Sequence, residues 1–340
     1  MNTNPQNLSS TLSATNPERI VVTGSSGYCG RAVVAALRRQ WPNCKVLGID
    51  VVAPNDNPPD VFSSCDISST DIDREFERFR PDSVIHLAFV VNPIRDRQRM
   101  RQINIDGTRR ILSASAACGV SRIVIGSSAT SYGALADNPI PLTESMPVRA
   151  GSEYQYAAEK CEVERLVEEF RAANPQITTA TTRPCMIYGP GLSNYLTKFI
   201  LNGPVIVLPD GNNTPMQFVH LDDVAEATCR ILASGASGPF NIAPPDWFTL
   251  RDLASMSGRF CIPAPLKACL AFTSCWWALR LPLYHFPPGL WYFIRYPWVV
   301  SPDRLCSELG FQFRRSSGDV IRMLLQDAGQ LREKPSSSAK

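Results

Sequence analysis

The sequence predicts an α/β fold, in which a doubly wound parallel sheet is followed by a smaller, less regular C-terminal lobe. Two observations predict it. From Arg19 to Pro190, short β-branched runs alternate with helix-length segments, which is typical of a parallel sheet covered by helices on both faces. After Pro190 the alternation stops, and residues 263–302 become rich in Pro, Trp, Tyr and Phe. With 340 residues, of which 44% are hydrophobic, the chain is long enough to bury such a core.

The elements follow in order from the N-terminus. Residues 1–18 lack the basic start and apolar middle of a signal peptide, so we expect a disordered tail there, and a second one at 334–340. Short apolar runs predict strands at 20–23, 45–49, 83–87, 122–125 and 177–182, and periodic apolar residues predict helices at 28–40 and 152–170. No apolar run reaches the length of about 18 residues that a membrane-spanning helix needs.

Composition excludes several classes of protein. The formal net charge of +3 is too small to predict a nucleic-acid partner. The eleven cysteines form no CxxC pair and no cluster at zinc spacing, so we expect neither a disulfide framework nor a metal site, and a reducing, cytoplasmic location fits best. No GxSxG motif occurs, so a serine hydrolase is not supported.

A glycine-rich turn stands where the first predicted strand meets the first helix. Gly24, Gly27 and Gly30 occur in the segment TGSSGYCG. Glycines at this junction let backbone N–H groups approach a pyrophosphate, which the positive end of the following helix stabilises. The turn therefore predicts a dinucleotide site.

Carboxylates follow the second and third apolar segments. Asp50 ends the second strand about twenty residues after the last glycine, where an acidic side chain accepts both hydroxyls of an adenosine ribose and repels a 2′-phosphate. We therefore expect NAD rather than NADP. Asp66 and the adjacent Ile67 follow the third segment and are expected at the adenine end, and an ordinary loop carboxylate is the alternative for Asp66.

Three side chains predict acid–base chemistry at this site. Tyr156 and Lys160 in YAAEK lie four residues apart on a predicted helix and so share one face. A phenol has a pKa near 10, and lowering it by roughly three units needs about 4 kcal/mol, which a neighbouring ammonium and an oxidised nicotinamide can supply. Ser127 and Ser128 stand at the carboxyl end of the strand predicted at 122–125, where Ser128 would hydrogen-bond the reacting oxygen beside Tyr156.

From Arg19 to Leu331 these motifs together resemble an extended short-chain dehydrogenase/reductase of the NAD-dependent epimerase/dehydratase family. The matching pieces occur in the family's order: TGSSGYCG, Asp50, HLAF at 86–89, NIDGT around Asn104, SSATSYG, YAAEK, RPCMIYGP at 183–190 and FVHLDDVAEA at 218–227. The resemblance implies a Rossmann-type NAD-binding domain of residues 19–190 and 218–247, and a substrate-binding lobe of residues 191–217 and 248–333.

The resemblance also implies roles for individual residues. It makes Ser128, Tyr156 and Lys160 catalytic, and it gives Asn104 a part in helix geometry and proton relay. It places Leu87, Ala88 and Pro184 beside the cofactor.

Two positions depart from the sugar-nucleotide epimerases of that family. Their pattern often has an arginine where this chain has Met216 and an asparagine where it has Met186. Two thioethers in place of two polar anchors favour an apolar substrate, such as a sterol- or isoprenoid-like secondary alcohol that is interconverted with its ketone. The alternative is a nucleotide-sugar epimerase or dehydratase, similar to UDP-glucose 4-epimerase, with a transient keto intermediate. A non-catalytic NAD-binding regulator is disfavoured by the intact catalytic residues.

The second lobe leaves further alternatives open. No acidic residue lies between Asp252 and Asp303, while four of the six tryptophans fall at 276, 277, 291 and 298. Residues 263–302 are therefore expected either to cover the substrate cleft as a lid or to contact a membrane surface peripherally. Interruption by prolines excludes one continuous helix there. Formation of a homodimer is a further alternative that the sequence leaves open.

Two clusters of polar residues receive structural interpretations. His220, Asp222 and Asp223 resemble a metal-ligand set, but the family pattern assigns them to a strand-to-helix turn with Asp222 or Asp223 as the helix cap. The basic run from Arg95 to Arg101 is expected to be a solvated helix face.

Overall fold

The computed structural model describes residues 16–91, 96–192, 195–279 and 287–332. The predicted tails at 1–18 and 334–340 lie outside these ranges except for residues 16–18. The strands are β1 (Arg19–Thr23), β2 (Lys45–Asp50), β3 (Val61–Ser64), β4 (Ser83–His86), β5 (Arg122–Gly126), β6 (Thr178–Pro184), β7 (Met186–Tyr188), β8 (Val205–Pro209), β9 (Pro215–Met216), β10 (Phe218–His220), β11 (Gly238–Ile242), β12 (Phe248–Thr249) and β13 (Phe260–Ala264).

Helices connect and flank these strands. They are α1 (Tyr28–Gln40), α2 (Asp71–Phe79), α3 (Arg97–Arg101), α4 (Gly107–Ala117), α5 (Gln155–Ala173), α6 (Tyr195–Asn202), α7 (Leu221–Ser234), α8 (Leu250–Ser257), α9 (Leu266–Ala278), α10 (Leu290–Arg295), α11 (Asp303–Leu309) and α12 (Ser317–Asp327). A π-helical turn, Gln102–Asp106, joins α3 to α4, and a short 3₁₀ turn, Ala129–Tyr132, follows β5.

Seven strands form one parallel sheet in the order β11-β6-β5-β4-β1-β2-β3. Alternate residues of each strand face opposite sides: Ile20 and Val22 of β1 join a core with α1 and α7, whereas Val21 joins a core with α2, α4 and α5. The predicted doubly wound α/β fold is confirmed. Because the strand order reverses between β1 and β4, a ligand crevice is expected at the carboxyl ends of these two strands.

The predicted elements match the structure closely in the first half of the chain. The helix predicted at 28–40 coincides with α1. The helix predicted at 152–170 instead runs from Gln155 to Ala173. It starts later because Tyr154 keeps an extended backbone, with φ −130° and ψ 100°, and its ring packs on Phe293 at a centroid distance of 5.4 Å.

The part of the chain after β7 carries short strand pairs rather than one large sheet. These are β7 with β10, β9 with β12, and β8 with β13. Residues 263–302 form the two separate helices α9 and α10, as the prolines predict, and residues 280–286 between them lie outside the described ranges. The division into an NAD-binding domain and a substrate-binding lobe stays a prediction. Within the described ranges, no helix combines the length and apolarity required to cross a bilayer.

Candidate active site

A cavity of about 420 Å³ opens at the carboxyl edge of the central strands. Eight of the twelve predicted site residues line it: Gly24, Gly27, Gly30, Leu87, Ser128, Tyr156, Lys160 and Pro184. The other four, Asp50, Asp66, Ile67 and Ala88, lie outside its lining. The fold thus brings the glycine turn and the three predicted catalytic side chains to one cavity.

The three glycines of the turn do different work. Gly24 has φ +68°, and a Cβ there would lie 2.7 Å from the backbone nitrogen of Ala88. A Cβ on Gly30 would lie 2.0 Å from the carbonyl oxygen of Gly24. Gly24 and Gly30 therefore make the tight turn and let α1 pack on it. Gly27, just before α1, faces the cavity.

The N-terminus of α1 points into this cavity. Gly27, Tyr28 and Cys29 all line it, and α1 has no acidic residue in its first turn. The first N–H groups of a helix have no partner within the helix, and the helix dipole adds positive potential there. This end of the cavity fits a pyrophosphate, and filling the space beside Gly27 with a side chain would reduce that fit.

Asp50 lies at the carboxyl end of β2, next to the glycine turn. Its two carboxylate oxygens accept hydrogen bonds from the backbone nitrogens of Ser26, at 3.0 Å, and Val52, at 3.1 Å. These bonds orient the carboxylate and leave each oxygen a further lone pair. The arrangement fits two ribose hydroxyls.

Asp66 follows β3 and is engaged within the protein. Its carboxylate accepts hydrogen bonds from the Ser68 backbone nitrogen at 2.8 Å and from the Ser68 hydroxyl at 2.7 Å, and it pairs with Arg99. Burial alone would raise the pKa of Asp66, but the bonds from Ser68 and the charge of Arg99 hold it below its usual value. Ile67 is buried beneath Gly107 of α4. The adenine role of both residues stays a prediction.

Ser128, Tyr156 and Lys160 come from two elements that meet under the cavity. Ser128 lies two residues after the end of β5, and its Oγ accepts hydrogen bonds from the Thr130 backbone nitrogen at 3.2 Å and from the Thr130 hydroxyl at 3.0 Å. Tyr156 and Lys160 occupy successive turns of α5, and Lys160 Nζ donates to the carbonyl oxygen of Gly126 at 2.7 Å. That bond ties α5 to the end of β5.

The side-chain nitrogen of Lys160 lies in apolar surroundings. Its Nζ lies 3.4 Å from the centroid of the Phe89 ring, and its side chain is buried. Burial lowers the pKa of Lys160 to about 7, and the charges of Glu164 and Glu159 and the Cys29 thiol oppose this only in part. A group that titrates near neutrality can change its protonation state during a reaction.

Aromatic rings hold Tyr156 in place. Phe89 meets it edge to face, with a centroid distance of 5.6 Å, and Tyr154 lies 5.7 Å away at a tilt of 41°. The sequence motifs did not assign Tyr154 a role at this site. Tyr154 lies only two residues before Tyr156 in the sequence, but its position at the site depends on contact with a distant helix, α10.

Two buried polar residues beside the site are structural. The Thr108 hydroxyl donates to the carbonyl oxygen of Asn104 at 2.6 Å, so it accepts from His86 Nε2 at 3.0 Å. The Thr23 hydroxyl then donates to His86 Nδ1 at 2.6 Å. Burial lowers the pKa of His86 to about 3, so the ring is neutral and is not an acid–base group. The Asn104 amide donates to Glu159 at 2.7 Å and thereby fixes α5.

The far wall of the cavity is apolar. It is formed by Met186, Met216, Leu290, Phe293, Ile294 and Trp298. The Trp298 indole nitrogen donates to the carbonyl oxygen of Phe293 at 2.9 Å, and their rings meet at 5.5 Å. α10 and Trp298 thus form one wall of the cavity, and a lid over the substrate cleft stays a prediction. Its residues are far from the other motifs in sequence, and only their clustered aromatics hinted at their role.

The two polar clusters are partly as predicted. The cap of α7 is His220 and not Asp222 or Asp223, because His220 Nδ1 accepts from the Asp222 nitrogen at 3.2 Å. Asp223 is buried and accepts instead from the backbone nitrogen of Arg314 at 3.3 Å. The absence of a metal site stays a prediction.

The basic run forms a largely solvated helix face, as predicted. Residues 97–101 form α3, in which Arg97 and Arg101 are exposed. Arg99 pairs with Asp66 and Arg101 pairs with Glu162, so the face is also tied to neighbouring elements. Arg95 lies outside the described residues.

Comparison with known proteins agrees with this geometry. The model of the NAD-dependent epimerase/dehydratase family matches residues 20–243. An uncharacterised protein of Mycobacterium tuberculosis is 24% identical over 257 residues, which cover 73% of this chain and 68% of the relative.

Two solved structures share the fold. The UDP-glucose 4-epimerase of Thermus thermophilus in complex with NAD has a TM-score of 0.70 and 22% identity, covering 92% of this chain and 99% of that one. The dTDP-glucose 4,6-dehydratase DesIV of Streptomyces venezuelae, with NAD and TYD bound, has a TM-score of 0.68 and 21% identity, covering 91% and 96%. The family model matches most of the chain, the central sheet is parallel, and one cavity contains the glycine turn with the serine, tyrosine and lysine. The chain therefore belongs to the NAD-dependent epimerase/dehydratase family of extended short-chain dehydrogenases/reductases.

Proposed function

We propose that this enzyme interconverts a secondary alcohol and its ketone by NAD-dependent hydride transfer, and that its substrate is apolar. The observation that carries the proposal is the cavity itself. One end is formed by the glycine turn, the middle by Ser128, Tyr156 and Lys160, and the far wall by thioether, aliphatic and aromatic side chains.

The residues at the first end fit NAD. The N-terminus of α1 at Gly27 would hold the pyrophosphate, and Asp50 would accept the ribose hydroxyls. Pro184, which lines the cavity, would border the nicotinamide, and Leu87 and Ala88 would lie beside the cofactor. Asp66 and Ile67 would lie toward the adenine. When bound, NAD can accept a hydride from the carbinol carbon of the alcohol. Two electrons would leave the alcohol with that hydride.

The protein supplies the proton transfer. Tyr156 takes the proton of the substrate hydroxyl during oxidation and returns it during reduction. Lys160, whose pKa burial lowers to about 7, favours the phenolate while it is protonated. Ser128 donates its hydroxyl hydrogen to the reacting oxygen, so that this oxygen stays aligned with Tyr156.

The substrate end favours an apolar molecule. Met186 and Met216 are 6% and 5% exposed and line the cavity at positions where the related sugar-nucleotide enzymes often carry polar anchors. Phosphates placed against this wall would lose hydration without gaining a partner. We infer that the substrate is a sterol- or isoprenoid-like alcohol.

A nucleotide-sugar epimerase or dehydratase is the second candidate. The solved structures that share the fold include a UDP-glucose 4-epimerase, which supports this alternative. A non-catalytic NAD-binding regulator is a weaker third, because the cavity keeps Ser128, Tyr156 and Lys160. A homodimer stays a prediction.

A substrate screen tests the proposal. Purified protein is incubated with NAD and panels of apolar secondary alcohols and of nucleotide sugars, with NADH absorbance and product analysis as readouts. We expect turnover of at least one apolar alcohol. Efficient turnover of a nucleotide sugar and of no alcohol would overturn the apolar assignment and support the second candidate.

A further inference from the structure

Helix α9 is apolar on both of its sides. Its inward side, with Leu266, Cys269 and Thr273, is buried against the protein. Its outward side presents Phe272, which is 62% exposed, and Leu279 at its C-terminal end, which is 70% exposed. A surface helix normally carries polar residues on its outward side, so this helix is unusual.

The outward residues recur at helical spacing. Six of them, Ala268, Ala271, Phe272, Cys275, Trp276 and Leu279, form one stripe that we call the α9 face, and the exposed Lys267, Ser274 and Ala278 lie outside it. All are exposed except Trp276, which is partly buried and lies 5.8 Å from Phe272, ring centroid to ring centroid. The only charged side chain in α9 is the exposed Lys267, at its N-terminal end.

The segment that carries the α9 face has no acidic residue of its own. The sequence has none between Asp252 and Asp303. At the start of α9, Asp210 accepts from the Leu266 nitrogen at 2.8 Å, and its charge is paired with Arg295 at 2.9 Å. The face is therefore compatible with an anionic surface.

Size distinguishes between the candidate occupants of the α9 face. At about 1.5 Å per residue, its 13 residues extend about 20 Å, which is too short to span a bilayer but suits a helix lying in its plane. A strip about 20 Å by 10 Å covers only about 200 Å², against about 800 Å² per partner in a stable protein interface. A second copy of the chain is thus the poorer fit.

The position of α9 in the fold indicates how a membrane contact would serve the enzyme. It packs against α10, whose Leu290, Phe293 and Ile294 line the apolar end of the cavity. We propose that the α9 face lies in the interfacial region of a membrane containing anionic lipids, beside the entrance for a substrate dissolved in that membrane. The inference rests on the proposed function only for the nature of the substrate.

Vesicle sedimentation of the full chain tests this inference. The probes are phosphatidylcholine vesicles with and without phosphatidylserine. We expect the protein to sediment with the anionic vesicles and less with the neutral ones. Phe272→Ser combined with Leu279→Ser should weaken binding at least about tenfold, because two apolar side chains lose their burial. Lys267→Glu should weaken binding to anionic vesicles by about fivefold or more.

A matched control removes exposed apolar residues elsewhere. Ile140 and Trp247 are 49% and 41% exposed, and Ile140→Ser combined with Trp247→Ser should leave vesicle binding unchanged. Equal loss in both double variants, or no sedimentation of the unmodified protein, would overturn the inference. So would self-association that depends on the α9 face in the absence of vesicle binding.

A second readout separates this inference from the proposed function. Turnover of a water-soluble secondary alcohol, measured without vesicles, should be the same in the unmodified protein and in the α9 variants. If the protein binds anionic vesicles through α9 but turns over no alcohol, the proposed function fails and the membrane contact stands.

Discussion

Arg183 and Glu164 form a two-point ion pair between β6 and α5. Arg183 Nε lies 2.8 Å from Glu164 Oε1, and a second guanidinium nitrogen lies 3.0 Å from Oε2. Both side chains are more than nine-tenths buried. Arg183 is the last residue but one of β6, and Glu164 lies one turn after Lys160 on α5. The pair therefore fastens the helix that carries Tyr156 and Lys160 to the strand that borders the cavity.

Breaking this pair should destabilise the fold. Arg183→Met leaves Glu164 buried without a partner for its charge, and we expect a loss of about 3 to 5 kcal/mol in the free energy of unfolding. Glu164→Leu combined with Arg183→Met should lose less than the sum of the single changes. Urea denaturation measures all three variants. Arg322→Met, which breaks an exposed pair with Asp319, is the control and should cost less than about 1 kcal/mol. Similar losses at both sites would contradict this account.

The carboxylate of Asp50 should select the cofactor. We expect NADH to bind at least about tenfold more tightly than NADPH, a difference of about 1.4 kcal/mol, because an added 2′-phosphate would face this charge. Asp50→Asn keeps an oxygen that can accept from the Ser26 nitrogen but loses the negative charge. The difference between the affinities for NADH and NADPH should therefore become smaller. Fluorescence titration with both cofactors gives the ratio, and Asp56→Ala in the following loop serves as control. Equal affinities in the unmodified protein would remove Asp50 from this role.

The buried Lys160 should make stability depend on pH. Its pKa falls from 10.5 to about 7 on folding, so between these values the unfolded chain binds more protons and the free energy of unfolding rises with pH. Lys160→Met lacks this dependence. Without cofactor, its stability relative to the unmodified protein should therefore fall by about 2 kcal/mol from pH 7 to pH 9. Urea denaturation at both pH values measures the difference, and a constant difference would show that Lys160 is not held in this way.

The apolar wall should determine substrate affinity without affecting the cofactor. Ile294 is 6% exposed and lines the cavity, and Ile294→Ala should lower kcat/KM for an apolar alcohol about tenfold or more. The dissociation constant of NADH should stay within about twofold. The same substitution at the exposed Ile140 is the control. Loss of NADH affinity in step with kcat/KM would mean that the wall supports the cofactor end instead.

The local part of the site could be predicted from the sequence. Each local feature, namely the glycine turn, Asp50, and the Tyr156–Lys160 pair, depends on the end of one strand or on one face of one helix. Residues close together in the sequence determine such short-range geometry. The parallel sheet followed from the alternation of strands and helices, because strands joined by helical connections allow few other arrangements.

The rest of the site depends on contacts between distant segments. Glu164 looks like an ordinary helix charge until β6 brings Arg183 against it. Phe293 and Trp298 lie in a segment without regular periodicity, and only the folded chain shows that they close the cavity while the neighbouring α9 faces outward. The predicted cap at Asp222 or Asp223 was wrong for a similar reason, since the ring of His220 takes the position nearest the helix start.

The turnover of Tyr156→Phe, with an alcohol that the unmodified enzyme oxidises, shows whether this phenol transfers the proton. We expect less than about a hundredth of the unmodified kcat, because proton transfer contributes at least this factor, together with an NADH dissociation constant within about twofold of the unmodified value. Tyr292→Phe on α10, outside the cavity lining, should keep full activity. Activity of Tyr156→Phe above about a hundredth of the unmodified value would contradict the assignment of the proton transfer to this phenol.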